Sequence, residues 1–240
     1  MANNKKYSTL AIVPARGGSK SIPYKNIVNL GGRPLISYCI KAIKKSRSVD
    51  RLIVTTDDPK IAKVSKKYGA EVPFLRPAEL SEDNTPTIPV IEHALKWLDE
   101  NENYQPDFVL LIQPTEPFVT SEQIDGLFNL MISKKADSGI TIVPVPRTNH
   151  PYHIRHLTDG YLEHDNPELH YKHPNRQSDP KRYAFGNLYW FRRDKFLKER
   201  KIEVGRRVGL EIDPLAAHGI DDKSDLELAR FLVRKLQHRK

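Results

Sequence analysis

Four short apolar runs rich in β-branched residues constrain the fold of this chain most tightly: TLAIVPA (9–15), RLIVTTD (51–57), FVLLIQP (108–114) and SGITIVPV (138–145). Each is nearly continuous rather than alternating, so both faces of the strand it forms must be covered. The stretches between them carry a helical repeat: PLISYCIKAIKKS (34–46), PKIAKVSKKYG (59–69), TPTIPVIEHALKWLDE (85–100) and SEQIDGLFNLMISKK (121–135). Gly69 stands where a helix C-cap belongs, and Ser121 with Glu122 where a helix opens. Asp57 and Asp58 are read as N-caps of the helix after the second run. This alternation predicts one α/β domain over 1–240, doubly wound about a mostly parallel sheet with right-handed crossovers. In such sheets ligands collect beyond the carboxyl ends of the strands.

From residue 146 the rhythm breaks. PRTNHPYHIRHLTDGYLEHDNPELHYKHPNRQSDPKRY (146–183) is rich in Pro, His and Tyr, with apolar residues spaced through it. We read 146–192 as a hairpin-bearing excursion from the domain. His150, His153, His156, His164, His170 and His173 fall at irregular separations that match no metal-ligand template, and are read as neutral surface residues. GNLYWFRR (186–193) returns to strand character, and SDLELARFLVRKLQ (224–237) reads as an amphipathic helix started by Asp222 or Ser224.

With 38% hydrophobic and 29% charged residues the chain can bury a core. Its one cysteine, Cys39, excludes an internal disulfide and a thiolate metal site. No apolar run approaches the roughly 18–20 residues of a membrane span, and MANNKKYS has no signal-like apolar stretch. The expectation is a cytoplasmic protein with no membrane partner. The net charge of +9 raises the question of nucleic acid, but the surplus sits in pairs such as Lys44–Lys45 and Lys66–Lys67, in Lys5 and Lys6, and in the tail RKLQHRK. No aromatics that could stack on bases are interleaved with these pairs, so no nucleic-acid partner is expected.

The cations after the first run differ, because they adjoin a strand end. In AIVPARGGSKSIPYKNI (11–27), Gly17 and Gly18 let backbone amides face an anion, Arg16, Lys20 and Lys25 supply charge, and Ser19 supplies a hydroxyl donor. The spacing is neither Gly-x-x-x-x-Gly-Lys-Ser/Thr nor Gly-x-Gly-x-x-Gly. By composition alone, a polyphosphate cradle and an ordinary basic turn both remain open.

The residues VPARGGSKSIPYKNI resemble the N-terminal signature of the cytidylyltransferases that make CMP-sialic acid and related CMP-activated acidic sugars. The resemblance continues in order through PLISYCIKAI, IVTTDDPKIAKVSKKYGAEVPFLRPAEL, LLIQPTEP and GIDDKSDLELA, weakest over 146–175 and 195–210. It implies a Rossmann-like nucleotidyltransferase fold that moves CMP from CTP to a sialic-acid-like nonulosonic acid and releases pyrophosphate. It also implies a homodimer in which the excursion reaches the partner's active site, with 183–191 joining the interface. By that resemblance Arg16, Lys20, Lys25 and Asp221 are catalytic, and Asp221 holds Mg²⁺. Ala15, Arg16, Gly17, Ser19, Lys20 and Lys25 bind the phosphates, Asn26 the ribose or a phosphate, and Arg76, Thr85 and Thr87 the cytosine. Gln113, Thr115, Glu116, Arg176, Gln177 and Tyr183 form the acceptor side. Against these stand plainer readings: Arg76 pairing with Glu79, His93 as a structural residue, and Asp225 as support for the last helix.

The acceptor side departs from the sialic-acid pattern. Glu116 stands for a Ser and Val119 for an Arg; Gly186-Asn187 inverts an Asn-Gly; and Gly219 stands for the first Asp of an Asp-x-Asp metal signature. Asp222, Glu211 or Asp213 are the candidates to replace that carboxylate. A carboxylate at 116 would repel an acid bound nearby unless the acceptor carries an amine, so an acceptor other than N-acetylneuraminate is expected. A Kdo-type sugar, a phosphonate, and a catalytically silent CTP-binding relative stay open.

Overall fold

The computed structural model describes residues 7–237, apart from the side chains of Arg176, Leu236 and Gln237. Lys5, Lys6 and the last three residues, counted above in the charge surplus, lie outside the described residues. The first apolar run forms β1 (Thr9–Pro14), and the loop after it leads to a small antiparallel pair, β2 (Asn29–Leu30) and β3 (Arg33–Pro34). Then follow α1 (Ile36–Lys45), β4 (Arg51–Thr55), α2 (Pro59–Lys67), α3 (Thr87–Glu102), β5 (Phe108–Ile112), α4 (Ser121–Lys134) and β6 (Ser138–Pro144). The excursion holds β7 (Arg155–Thr158), β8 (Tyr161–His164) and α5 (Pro167–Lys172). The chain closes with β9 (Tyr183–Arg192), α6 (Arg193–Glu199), β10 (Arg207–Glu211) and α7 (Lys223–Gln237).

The main sheet has the order β10-β6-β9-β5-β1-β4. All its strands run parallel except β9, which is antiparallel to both β5 and β6. Helices cover both faces, as the apolar runs require. Ala11, Val13, Val54, Leu110 and Ile112 pack with α1, α2 and α4, while Leu10, Ile12, Ile53, Val109 and Leu111 pack with α3 and α6. Each such aliphatic side chain contributes on the order of 1.5–3 kcal/mol when fully buried. Trp190, also fully buried, donates its indole N–H to the Ile124 carbonyl at 3.1 Å, which satisfies its one polar atom.

Local details refine the sequence reading. Asp58 caps α2, accepting the N–H groups of Lys60 at 2.6 Å and Ile61 at 3.1 Å, and Gly69 follows the helix with φ +91°. Ser121 opens the fourth helix, as read from the sequence; Thr120 before it is the cap, and its hydroxyl and the Gln123 side chain each accept the other's backbone N–H. Asp222 starts α7, and Asp225 accepts the N–H groups of Asp221 and Asp222 at 2.9 and 3.1 Å. His93 packs edge-on against Phe74, with centroids 4.9 Å apart. Val119 is buried in the core. Where the family pattern is inverted, a Cβ on Gly186 would lie 2.8 Å from the Thr141 carbonyl oxygen. Asn187 is fully buried, bonded to Gln123 and the Ala216 carbonyl. Asn187 thereby ties β9 to α4 and to the segment before α7.

The surface reading of the histidines needs correction. His150 and His153 are buried, and His153 Nε2 lies 3.0 Å from both Asp179 oxygens while its Nδ1 lies 3.0 Å from His170 Nδ1. Arg147 also approaches Asp179, at 3.5 Å. The nitrogens of His150 face the Pro180 carbonyl and the Tyr152 N–H. These contacts fasten the base of the excursion to the segment that enters β9.

Candidate active site

Beyond the carboxyl ends of β1, β4 and β5 lies an open cleft of about 760 Å³. One wall is the loop after β1. Ala15 is buried and continues the strand register through its N–H to the Thr55 carbonyl, at 2.9 Å. Gly17 donates its N–H to Asp57 Oδ1 at 3.0 Å, and a Cβ there would lie 2.9 Å from the Asp58 side chain, so only glycine fits. Asn26 is buried and donates its amide to the Arg16 carbonyl at 2.9 Å, bracing the loop from within. Arg16, Ser19, Lys20 and Lys25 are thereby presented to the cleft.

Asp83, on the facing loop, gathers two of these cations: it pairs with Arg16, and its Oδ2 lies 2.5 Å from Lys20 Nζ. Those two donors hold the Asp83 carboxyl below its ordinary range. Lys25 Nζ instead lies 3.3 Å from Asp221 Oδ1.

Arg76 is almost wholly buried. Its backbone N–H bonds the Thr56 carbonyl at 2.8 Å, and its Nε donates to Ser81 at 3.0 Å. Its charged partner is Asp57, at 3.6 Å, rather than Glu79. Nη2 makes no hydrogen bond among the described residues and faces Asp57, while the residue itself lines the cleft. Thr85 and Thr87 line the same side, with Thr87 opening α3.

Gln113, Thr115 and Glu116 line the opposite wall, in the turn after β5. The Thr115 carbonyl accepts the Ile220 N–H at 3.0 Å, which fixes that turn against the segment carrying Asp221. Asp221 is 90% exposed. Glu116 is only 8% exposed, and its Oε2 has no hydrogen-bond partner among the described residues. Burial, with the Asp221 charge adding to it, pushes the Glu116 carboxyl up to about 8. Its Oε1 lies 2.8 Å from where a Cβ on Gly219 would stand.

Not every residue named from the sequence reaches this cleft. Tyr183 lines a second cavity of about 460 Å³ with Arg147, Asp179 and Glu211. Gln177 is exposed in a short 3-10 turn (Arg176–Ser178), and the Arg176 side chain is not described. Sequence reasoning missed Asp83 and Phe185, which line the cleft, and the bracing role of Asp57. Asp83 lies in the polar run SEDN (81–84), whose only signal was charge opposite to the loop it faces.

Comparison with known proteins agrees with this arrangement. Residues 10–202 match the family model described as cytidylyltransferase. The chain belongs to the cytidylyltransferase family. It is 30% identical over 230 residues to a pseudaminic acid cytidylyltransferase of Campylobacter jejuni, covering 94% of this chain and 96% of that protein. It is also 30% identical over 231 residues to the N-acylneuraminate cytidylyltransferase of Escherichia coli O18:K1:H7, covering 96% of this chain and 53% of that longer protein. A solved structure of CMP:2-keto-3-deoxy-manno-octonic acid synthetase complexed with CTP superposes with a TM-score of 0.69. The match covers 95% of this chain and 99% of that one, and at 16% identity it shows the cytidylyltransferase fold alone.

Proposed function

We propose that the cleft transfers CMP from CTP to a hydroxyl of a sialic-acid-like nonulosonic acid, with release of pyrophosphate. The observation that carries this reading is the convergence of Arg16, Ser19, Lys20 and Lys25 on one wall and the buried guanidinium of Arg76 on another. A triphosphate would take Arg16 and Lys20 from Asp83, whose carboxylate occupies them in the free protein. A pyrimidine ring presents carbonyl and ring-nitrogen acceptors, which suit the fixed donor of Arg76 beside Thr85 and Thr87. The acceptor hydroxyl then attacks the α-phosphorus in line, a P–O bond forms, and the bond to pyrophosphate breaks. The protein's part is to align the reactants and to neutralise charge growing on the leaving oxygens with Arg16, Lys20 and Lys25.

Mg²⁺ is the cofactor this chemistry calls for. The open carboxylate of Asp221 fits a hard cation, which when bound would supply further charge neutralisation.

Leu157 and Leu162 on the hairpin of β7 and β8 are 70% and 66% exposed, apolar surface that a two-stranded ribbon cannot cover by itself. A homodimer would cover it. Among the described residues no helix is long and apolar enough to cross a membrane. The one cysteine, Cys39, is buried with a free thiol, which suits the reducing cytoplasm we propose for the protein.

The test is pyrophosphate release from CTP over a panel of acidic sugars, with CTP binding followed separately by calorimetry. Release with at least one nonulosonic acid, lost in a folded Arg16→Glu/Lys25→Glu double variant, is expected. Undiminished CTP affinity in that variant overturns the reading.

A further inference from the structure

Two departures from the family pattern meet at one point in space. Residue 219, where the resemblance calls for a carboxylate, is glycine; residue 116, where it calls for a small neutral hydroxyl, is glutamate. The Ile220 N–H bonded to the Thr115 carbonyl at 3.0 Å holds the two segments side by side. A Cβ on Gly219 would stand 2.8 Å from Glu116 Oε1, closer than real contacts allow. A side chain at 219 would therefore push the glutamate carboxylate from the place it holds beside Gly219.

We propose that Glu116 supplies, with Asp221, the second carboxylate of the divalent-cation site, filling the space that a side chain at 219 would otherwise take. This rests on the reading of the cleft as a CTP-dependent transferase. Glu116 is more than nine-tenths buried, its Oε2 lacks a partner among the described residues, and it lines the cleft beside Asp221. A buried carboxylate without a partner is costly, and a cation offsets that cost directly. Mg²⁺ is commonly held by one or two carboxylates together with substrate phosphates, which matches Glu116 and Asp221 facing the phosphate loop.

The other carboxylates near the gap have different tasks. Asp222 Oδ1 accepts three hydrogen bonds at the start of α7. Asp225 Oδ2 holds the N–H groups of Asp221 and Asp222. Asp213 caps the turn at Leu215, and Glu211 lines the second cavity. The replacements named from the sequence are thus committed elsewhere, and the glutamate assigned to the acceptor turns toward Gly219.

The experiment titrates Mn²⁺, an EPR-visible stand-in, into the full chain with CTP and no acceptor. Wild type is compared with Glu116→Gln, Gly219→Asp, and the exchanged pair Glu116→Ser/Gly219→Asp, each checked for folding by near-UV circular dichroism. Glu116→Gln is expected to weaken Mn²⁺ binding at least about tenfold, with metal-free CTP affinity measured alongside in EDTA so that the two effects are read separately. Gly219→Asp alone should lower the Tm, and the exchanged pair should recover both Tm and most of the Mn²⁺ affinity. Unaltered Mn²⁺ affinity in Glu116→Gln overturns the inference, as does a folded exchanged pair that recovers none. A wild-type chain that binds no CTP overturns the underlying transferase reading instead, so the two failures are distinct.

Discussion

Asp57 Oδ1 accepts the N–H of Gly17 at 3.0 Å and lies 3.6 Å from the guanidinium of Arg76. One carboxylate at the end of β4 therefore sets the loop after β1 and the buried Arg76 against each other, while not itself among the residues that line the cleft. Asp57→Ala is expected to weaken CTP binding about tenfold, or ~1.4 kcal/mol, through loss of the order it imposes on the loop and on Arg76. Calorimetry checks it, with Tm measured in parallel to separate binding from stability.

Asp83 acts in the opposite sense. It occupies Arg16 and Lys20 in the free protein, and on the proposed reading of the cleft it releases them to an incoming triphosphate. Asp83→Asn should tighten CTP binding by about twofold to fivefold, the scale of an exposed ion pair. The gain should shrink as salt is raised, because screening weakens the wild-type contact it removes.

The elevated carboxyl of Glu116 makes stability depend on pH. Below the ordinary carboxylate range, near 4.5, the group is protonated whether the chain is folded or not, and the folded state bears no penalty. As pH rises from about 4.5 to about 8 the unfolded chain releases the proton first, so stability falls across that window. Glu116→Gln, neutral at every pH, should flatten the slope. Urea midpoints in EDTA at several pH values across the window decide it, and parallel wild-type and variant curves would refute it.

The exposed leucines of the hairpin give a test of assembly. Leu157→Glu with Leu162→Glu should shift the sedimentation coefficient from dimer to monomer without lowering the Tm by more than a few degrees. Both side chains already face water in the single chain, so their replacement costs little there.

The sheet was legible wherever burial on both faces forced a continuous apolar run, as in β1, β4, β5 and β6. β10 escaped because it lies at the sheet edge: Val208 and Leu210 are half-buried while Arg207, Gly209 and Glu211 are exposed, a pattern too weak to mark a strand. Site residues next to one another in sequence, such as Arg16 to Lys25, could be read directly from the chain. Relations across the fold could not. Asp57 and Asp58 look alike in the chain, yet Asp58 caps a helix and Asp57 braces a loop beyond the neighbouring strand. Glu116 and Gly219 likewise read as unrelated oddities until folding set one against the other.

The contact between Glu116 and Gly219 also restricts how such a chain can change over generations. A carboxylate at 219 crowds the one at 116, and its loss from 116 leaves the spot bare. Passing from one arrangement to the other by single replacements means living for a time with either two acids in one space or none. Substitutions at these two positions should therefore be inherited as a pair, and the two combinations that mix them should be rarer than the two that do not.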